Sequence, residues 1–191
     1  MSGLIVHEWF EPTGGAERVV AAMLEAFPGT PVACLWSDTE VEGAATVRES
    51  WLARTPLRRK KALALPLMPS TWRRFPGGDA DWVLVSSHAF AHHANVRAER
   101  RVVYVHTPAR YVWEPDLDPR GSGRLARGVA RPLRVRDRRA ARRESVLLAN
   151  SAFVADRIWR HWGRDAEVLY PPVDVSLLQS EGDWRNALTA S

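Results

Sequence analysis

The sequence predicts an α/β fold built on one doubly wound parallel sheet. Three observations lead there. Residues 81–86 and 101–106 are nearly continuous apolar runs, the composition that a parallel strand covered on both faces requires. Segments with a helical apolar period alternate with such runs along the chain. The first alternation turns on a glycine pair, Gly14-Gly15, placed between strand and helix.

Residues 3–6 read as a short apolar strand, and a polar loop through Glu11, Pro12 and Thr13 leads to the glycines. A helix is expected from Ala16, because Val19, Val20, Met23, Leu24 and Phe27 recur with a helical period and Pro28-Gly29 stops it. Residues 31–36 form the next strand. Residues 59–74 are helix-like but broken by Pro66 and Pro69, and a short helix is expected over 88–95. After His106 come Thr107-Pro108, an aromatic loop, and an arginine-rich helix bent near Pro132. Residues 145–149 form a strand, Asn150-Ser151 caps a helix over 152–162, Gly163 ends it, and 166–170 form the last strand. In such a sheet ligands sit at the carboxyl ends of the strands.

A chain of 191 residues that is 46% apolar holds one cored domain but not two α/β domains. The single cysteine, Cys34, excludes an internal disulfide and a thiolate-rich zinc site. The N-terminus shows neither a charged leader nor a long apolar stretch, so a cytoplasmic location is expected. The formal charge is +5, carried almost wholly by arginine, with Lys60 and Lys61 the only lysines. Between Arg120 and Arg143 ten arginines face one acid, Asp137.

Gly14 and Gly15 suit close approach of a phosphate at a helix N-terminus, and equally an ordinary loop-and-cap pair; they lack the spacing of a dinucleotide fingerprint. His106, at the carboxyl end of a buried strand, can bond a sugar hydroxyl or exchange a proton, or simply pack in its loop. His88, His92 and His93 crowd one helix turn without a nearby carboxylate, which reads as a partly exposed polar face instead of a metal site. Arg124, Arg127, Arg131, Arg134, Arg138 and Arg142 recur every three or four residues and draw a basic stripe. It suits phosphate-rich partners or is a solvated face in an arginine-prone proteome.

Seven blocks in a fixed order carry a family likeness. They are His7-Glu8-Trp9-Phe10 with Gly14-Gly15-Ala16-Glu17-Arg18; Leu65-Pro66-Leu67-Met68-Pro69; Asp81-Trp82-Val83-Leu84-Val85-Ser86-Ser87-His88; and His106-Thr107-Pro108-Ala109-Arg110-Tyr111-Val112-Trp113. Asp137-Arg138-Arg139, Ala149-Asn150-Ser151-Ala152-Phe153-Val154 and Tyr170-Pro171-Pro172-Val173-Asp174 complete the set. Together they resemble the N-terminal domain of family 4 glycosyltransferases, especially the branch acting on lipid-linked or polysaccharide acceptors.

The resemblance implies the Rossmann-like N-terminal half of a GT-B enzyme, which holds the acceptor while a C-terminal half holds a UDP- or GDP-linked sugar and the anomeric configuration is retained. It implies no metal and no cofactor. By position Gly14 and Gly15 match the loop near the donor phosphates, and His106 matches the histidine beside the transferred sugar. Arg110, Tyr111 and Trp113 are expected to line the acceptor side. Arg124, Arg127, Arg131, Arg134 and Arg138 are expected to face an anionic membrane at its inner surface. The domain is expected over 1–174, with 175–191 a tail and the donor half missing. Activity is then expected only with a C-terminal donor domain, either separately encoded or part of a longer gene of which this is a piece; the alternative is a non-catalytic remnant that binds at most an acceptor or a membrane. A nucleic-acid module explains the arginines but neither the aromatic loop nor the ordered blocks. The residues flanking Gly14 and His106 are expected to form an open concave surface.

Overall fold

Alternating side chains explain the sheet. In the computed structural model, which describes residues 2–12, 14–115, 124–144 and 146–173 (backbone alone at 124–129), Leu4 and Val6 face one side and Ile5 the other. Ala33 and Leu35 oppose Val32 and Cys34, and Val83 and Val85 oppose Trp82 and Leu84, in the same period of two. Both faces are therefore apolar and both must be covered.

The elements in chain order are β1 (Gly3–His7), β2 (Trp9–Phe10), α1 (Gly15–Ala26), β3 (Val32–Cys34), β4 (Trp36–Ser37) and β5 (Val47–Glu49). Then come α2 (Lys61–Ala64), α3 (Met68–Arg74), β6 (Asp79–Ser87), β7 (Arg97–Val105), α4 (Arg110–Trp113) and α5 (Arg124–Ala141). The last are β8 (Val146–Ala149), α6 (Ala152–Trp162) and β9 (Glu167–Val168). Seven strands form one all-parallel, Rossmann-like sheet in the order β5-β3-β1-β6-β7-β8-β9. The short strands β2 and β4 pair apart from it.

Helix α1 covers the Ile5 face with Val20 and Leu24. The larger face is covered by Met68 and Trp72 of α3, Leu133 and Ala141 of α5, and Val154, Ile158 and Trp162 of α6. Among the described residues no helix is long and apolar enough to cross a membrane. Helix α6 has the expected ends: Ser151 Oγ accepts from the Val154 amide at 3.3 Å, and Gly163 turns the chain at φ 66°. Helix α5 runs on through Pro132.

One expected helix is corrected. Residues 88–95 hold only a 3-10 turn over Ala91–His93: the Glu8 carboxylate takes the amides of His88, Ala89 and Ala91 at 3.1, 2.9 and 2.6 Å, and the Asn95 amide, which a helix would return to Ala91, goes to the Trp72 carbonyl at 3.1 Å. The first amides of a helix have no partner within it, so the Glu8 bonds alone would cap one; the Asn95 donor, bonded to another element, is the one lost to the ladder. The domain boundary at 174 and the tail lie outside the described residues.

Candidate functional site at the strand reversal

Strand β1 has β3 on one side and β6 on the other, and the chain winds outward in both directions from it. Such a reversal leaves a crevice at the carboxyl ends of the two central strands. The residues there are His7 at the end of β1 and Ser86 opposite it in β6, with His106 directly after β7. Ser86 Oγ lies 3.1 Å from His7 Nδ1 and 2.9 Å from His106 Nε2, so one hydroxyl bridges the two imidazoles. His7 and Ser86 are fully buried, while His106 is half-buried and is the member that reaches toward solvent.

Burial pushes His106 down to about 4, with His88 adding to the effect, and pushes His7 down to about 3. Both rings are neutral at physiological pH. With Ser86 able to donate to Nε2, the tautomer favoured for His106 carries its hydrogen on Nδ1. Sequence reasoning singled out His106 but assigned no role to His7 or Ser86. Their signal was available only as two polar residues ending two apolar runs.

Glu8 directly follows His7, the last residue of β1. Its fully buried carboxylate also accepts from Ser87 Oγ at 3.3 Å, which pins the loop after β6 beneath His88. A neutral amide at this position cannot accept all of these N–H groups. We expect Glu8→Ala, which leaves all of these donors without their acceptor, to accelerate hydrogen exchange at the Ala89 and Ala91 amides by about tenfold or more, reflecting a loss of ~1–3 kcal/mol in local stability. Unchanged protection at both amides would sink this account.

The other sequence-stated residues are placed unevenly. Gly14 precedes α1 and Gly15 begins it, with Gly15 exposed. The Glu17 carboxylate lies against Gly14, within 2.2 Å of where a Cβ would stand, and accepts from the Glu11 amide at 3.1 Å. A phosphate approaching these amides has to displace that carboxylate. Arg110 is exposed beside the crevice loop, whereas Tyr111 is buried in the main core. Trp113 stacks on His161 and donates to Asp137 at 2.7 Å. Arg157, almost fully buried, donates to Thr107 Oγ1 at 2.7 Å and pairs with Glu114 at 3.1 Å, which ties the loop after His106 to α6.

The arginine stripe divides. Arg134 Nε donates to the Val112 carbonyl at 2.7 Å and Arg138 Nε to the His161 carbonyl at 2.8 Å, and both guanidinium groups lie over Trp113. Arg131 is exposed, and the side chains of Arg124 and Arg127 lie outside the described residues.

The histidine cluster requires a second correction. His92 and His93 are buried, and the carboxylate missing from their neighbourhood in sequence arrives from α5. Asp137 Oδ2 accepts from Trp113 and Trp162 at 2.7 Å each, and Oδ1 lies 3.2 Å from His93 Nε2. His92 Nε2 is 3.0 Å from the same oxygen but off the hydrogen-bond line. Among the described residues, His92, His93 and Asp137, and likewise His7, Glu8 and His88, bring ligand atoms within 4.8 Å of one another. In both groups the carboxylate is already engaged by N–H donors.

Burial holds His93 at about 4, although Asp137 pulls the other way. His7, His93 and His106 therefore stay neutral in the fold at pH values where the unfolded chain, with ordinary histidines near 6.5, is protonated. The unfolded state then binds more protons, so stability falls as pH drops from about 6.5 to about 4, by up to ~1.4 kcal/mol per pH unit for each ring. Burial alone would raise Asp137, but His92 and His93 hold it well below the usual carboxylate range, so its contribution is constant down to about pH 5 and falls below that as the unfolded aspartate takes up its proton. Urea midpoints at pH 7 and pH 5 test this; equal midpoints would exclude it.

The sequence profile of Glycosyltransferase Family 4 matches residues 13–177. The chain belongs to that family. No curated protein matches it. The family 4 domain is also similar to the crystal structure of Anabaena Alr3699/HepE in complex with UDP, with a TM-score of 0.51 at 15% identity. That alignment covers 99% of the present chain and 50% of HepE, so the family 4 domain spans about half the length of the solved protein.

Proposed function

We propose that this family 4 domain holds the acceptor in a retaining transfer of sugar from a UDP- or GDP-linked donor to a lipid-linked or polysaccharide acceptor. A second, C-terminal-type domain binds the donor across the crevice. The observation that carries the reading is the Ser86 bridge between His7 and His106 at the strand reversal, where this architecture binds ligands.

A neutral His106 with its Nε2 held by Ser86 presents Nδ1–H to a sugar hydroxyl and fixes the sugar for attack. Exposed Arg110 supplies a cation for an acidic or phosphorylated acceptor. Gly14 and Gly15 offer backbone amides to the donor phosphates once Glu17 swings aside. Stabilisation of the leaving diphosphate falls to the donor domain, and without it transfer is not expected. The UDP held by HepE supports a nucleotide-linked donor. A lipid-linked acceptor places the domain at the cytoplasmic face of a membrane.

The test is consumption and transfer from a panel of UDP- and GDP-sugars to an anionic-lipid acceptor mixture, with and without a donor-binding domain added in trans. Turnover only with the added domain supports the reading. Absence of turnover in every combination overturns the catalytic role and leaves an acceptor-binding module.

A further inference from the structure

A second concavity lies on the flank of the sheet, bordered by the segment leading into β7, the residue Glu144 before β8, and helices α3 and α5. It encloses about 530 Å³ and its walls include Arg73, Arg101, Arg136, Arg139 and Arg143. Glu144 is the one acidic residue among its lining residues. That acid is already taken, since Arg101 Nε donates to it at 2.6 Å, and the rest of the Arg101 fork donates to the carbonyls of His92, Ala94 and Val96.

Four guanidinium groups remain. Arg136 and Arg139, three apart, project from one face of α5, Arg143 follows in the turn just after that helix, and Arg73 lines the pocket from α3. All four are exposed, and among the described residues none has a hydrogen bond or ion pair. This face differs from that of Arg134 and Arg138, whose guanidinium groups are spent on carbonyls and Trp113. A concave wall of like charge focuses potential and concentrates counter-ions. Planar guanidinium forks match phosphate oxygens in pairs, and a phosphomonoester or diphosphate carries enough charge to satisfy several of them.

We propose that this pocket binds a phosphomonoester or diphosphate group, separately from the crevice at His106. The group comes either from a soluble phosphorylated compound or from a lipid head group. The site is independent of the glycosyl-transfer reading.

Titration calorimetry of the full chain with inorganic pyrophosphate, at about 50 mM salt to limit screening, tests the soluble arm. Co-sedimentation with phosphatidylcholine vesicles containing phosphatidic acid tests the lipid arm. Each guanidinium–phosphate contact is a charge-assisted hydrogen bond, so R139Q/R143Q is expected to weaken pyrophosphate binding by about tenfold or more. R73Q, on a different helix, is expected to weaken it in the same direction, and R59Q, an exposed arginine outside the pocket, to leave it unchanged. Unaltered far-UV circular dichroism establishes that the variants fold. Vesicle capture that pyrophosphate competes away and R139Q/R143Q abolishes assigns the lipid source. Pyrophosphate binding without vesicle capture assigns the soluble one. Absence of binding to both probes, or binding that R139Q/R143Q and R73Q leave intact, overturns the proposal.

Discussion

His106→Ala is expected to lower sugar transfer by ~100- to 10,000-fold when the domain is assayed with a donor-binding domain, the range that follows removal of a positioned proton-exchanging or hydrogen-bonding group. The half-buried ring is the solvent-facing member of the His7–Ser86–His106 chain, and its loss removes the donor proposed to contact the sugar while leaving His7 and Ser86 in place. Ser86→Ala separates contact from positioning. Among the described residues its hydroxyl bonds the two rings alone, so a smaller loss of about tenfold in kcat with KM unchanged is expected, as the His106 tautomer and orientation become free. Equal rates for wild type and His106→Ala would remove the site from the chemistry.

Asp137→Ala is expected to cost ~3–5 kcal/mol of folding stability, a large share of what a domain of this size possesses. The carboxylate is fully buried and holds the indole N–H groups of Trp113 and Trp162 and the imidazole of His93, with His92 beside it. Those donors belong to α4, α6 and the turn before β7, so one side chain ties three elements to α5. Removing it strands several buried N–H groups in a site that alanine cannot fill. Asp137→Asn keeps the shape but turns one acceptor into a donor facing other donors, and is expected to lose somewhat less. Urea denaturation of both variants measures the difference. A loss under ~1 kcal/mol for the alanine variant would mean that water replaces the carboxylate.

The parts legible in the chain were those where local pattern and final environment agree. Helix α6 carries its own start and stop in Ser151 and Gly163, and the central strands carry apolar runs because both their faces are covered. Strand β5 was illegible for the opposite reason: all three of its residues are exposed at a sheet edge, so no apolar pattern marks it. Strands β2 and β4, two residues each, are too short to carry a period.

The candidate site divides the same way. His106 could be picked out because it ends a recognisable strand, and the order of the blocks was enough to name the family. Its partners could not, since the hydroxyl that holds it is twenty residues away and the imidazole beyond that about a hundred. Residues 88–95 look helical until Glu8, eighty residues earlier, takes three of their amides and the Trp72 carbonyl takes that of Asn95. His92 and His93 look like a polar surface until Asp137 meets them in the core. Periodicity, capping and motif order are local properties and survive in the linear text. Which carboxylate meets which buried donor depends on strands and helices packed together across long stretches of chain, and those pairings exist only after the sheet has brought them within hydrogen-bond reach.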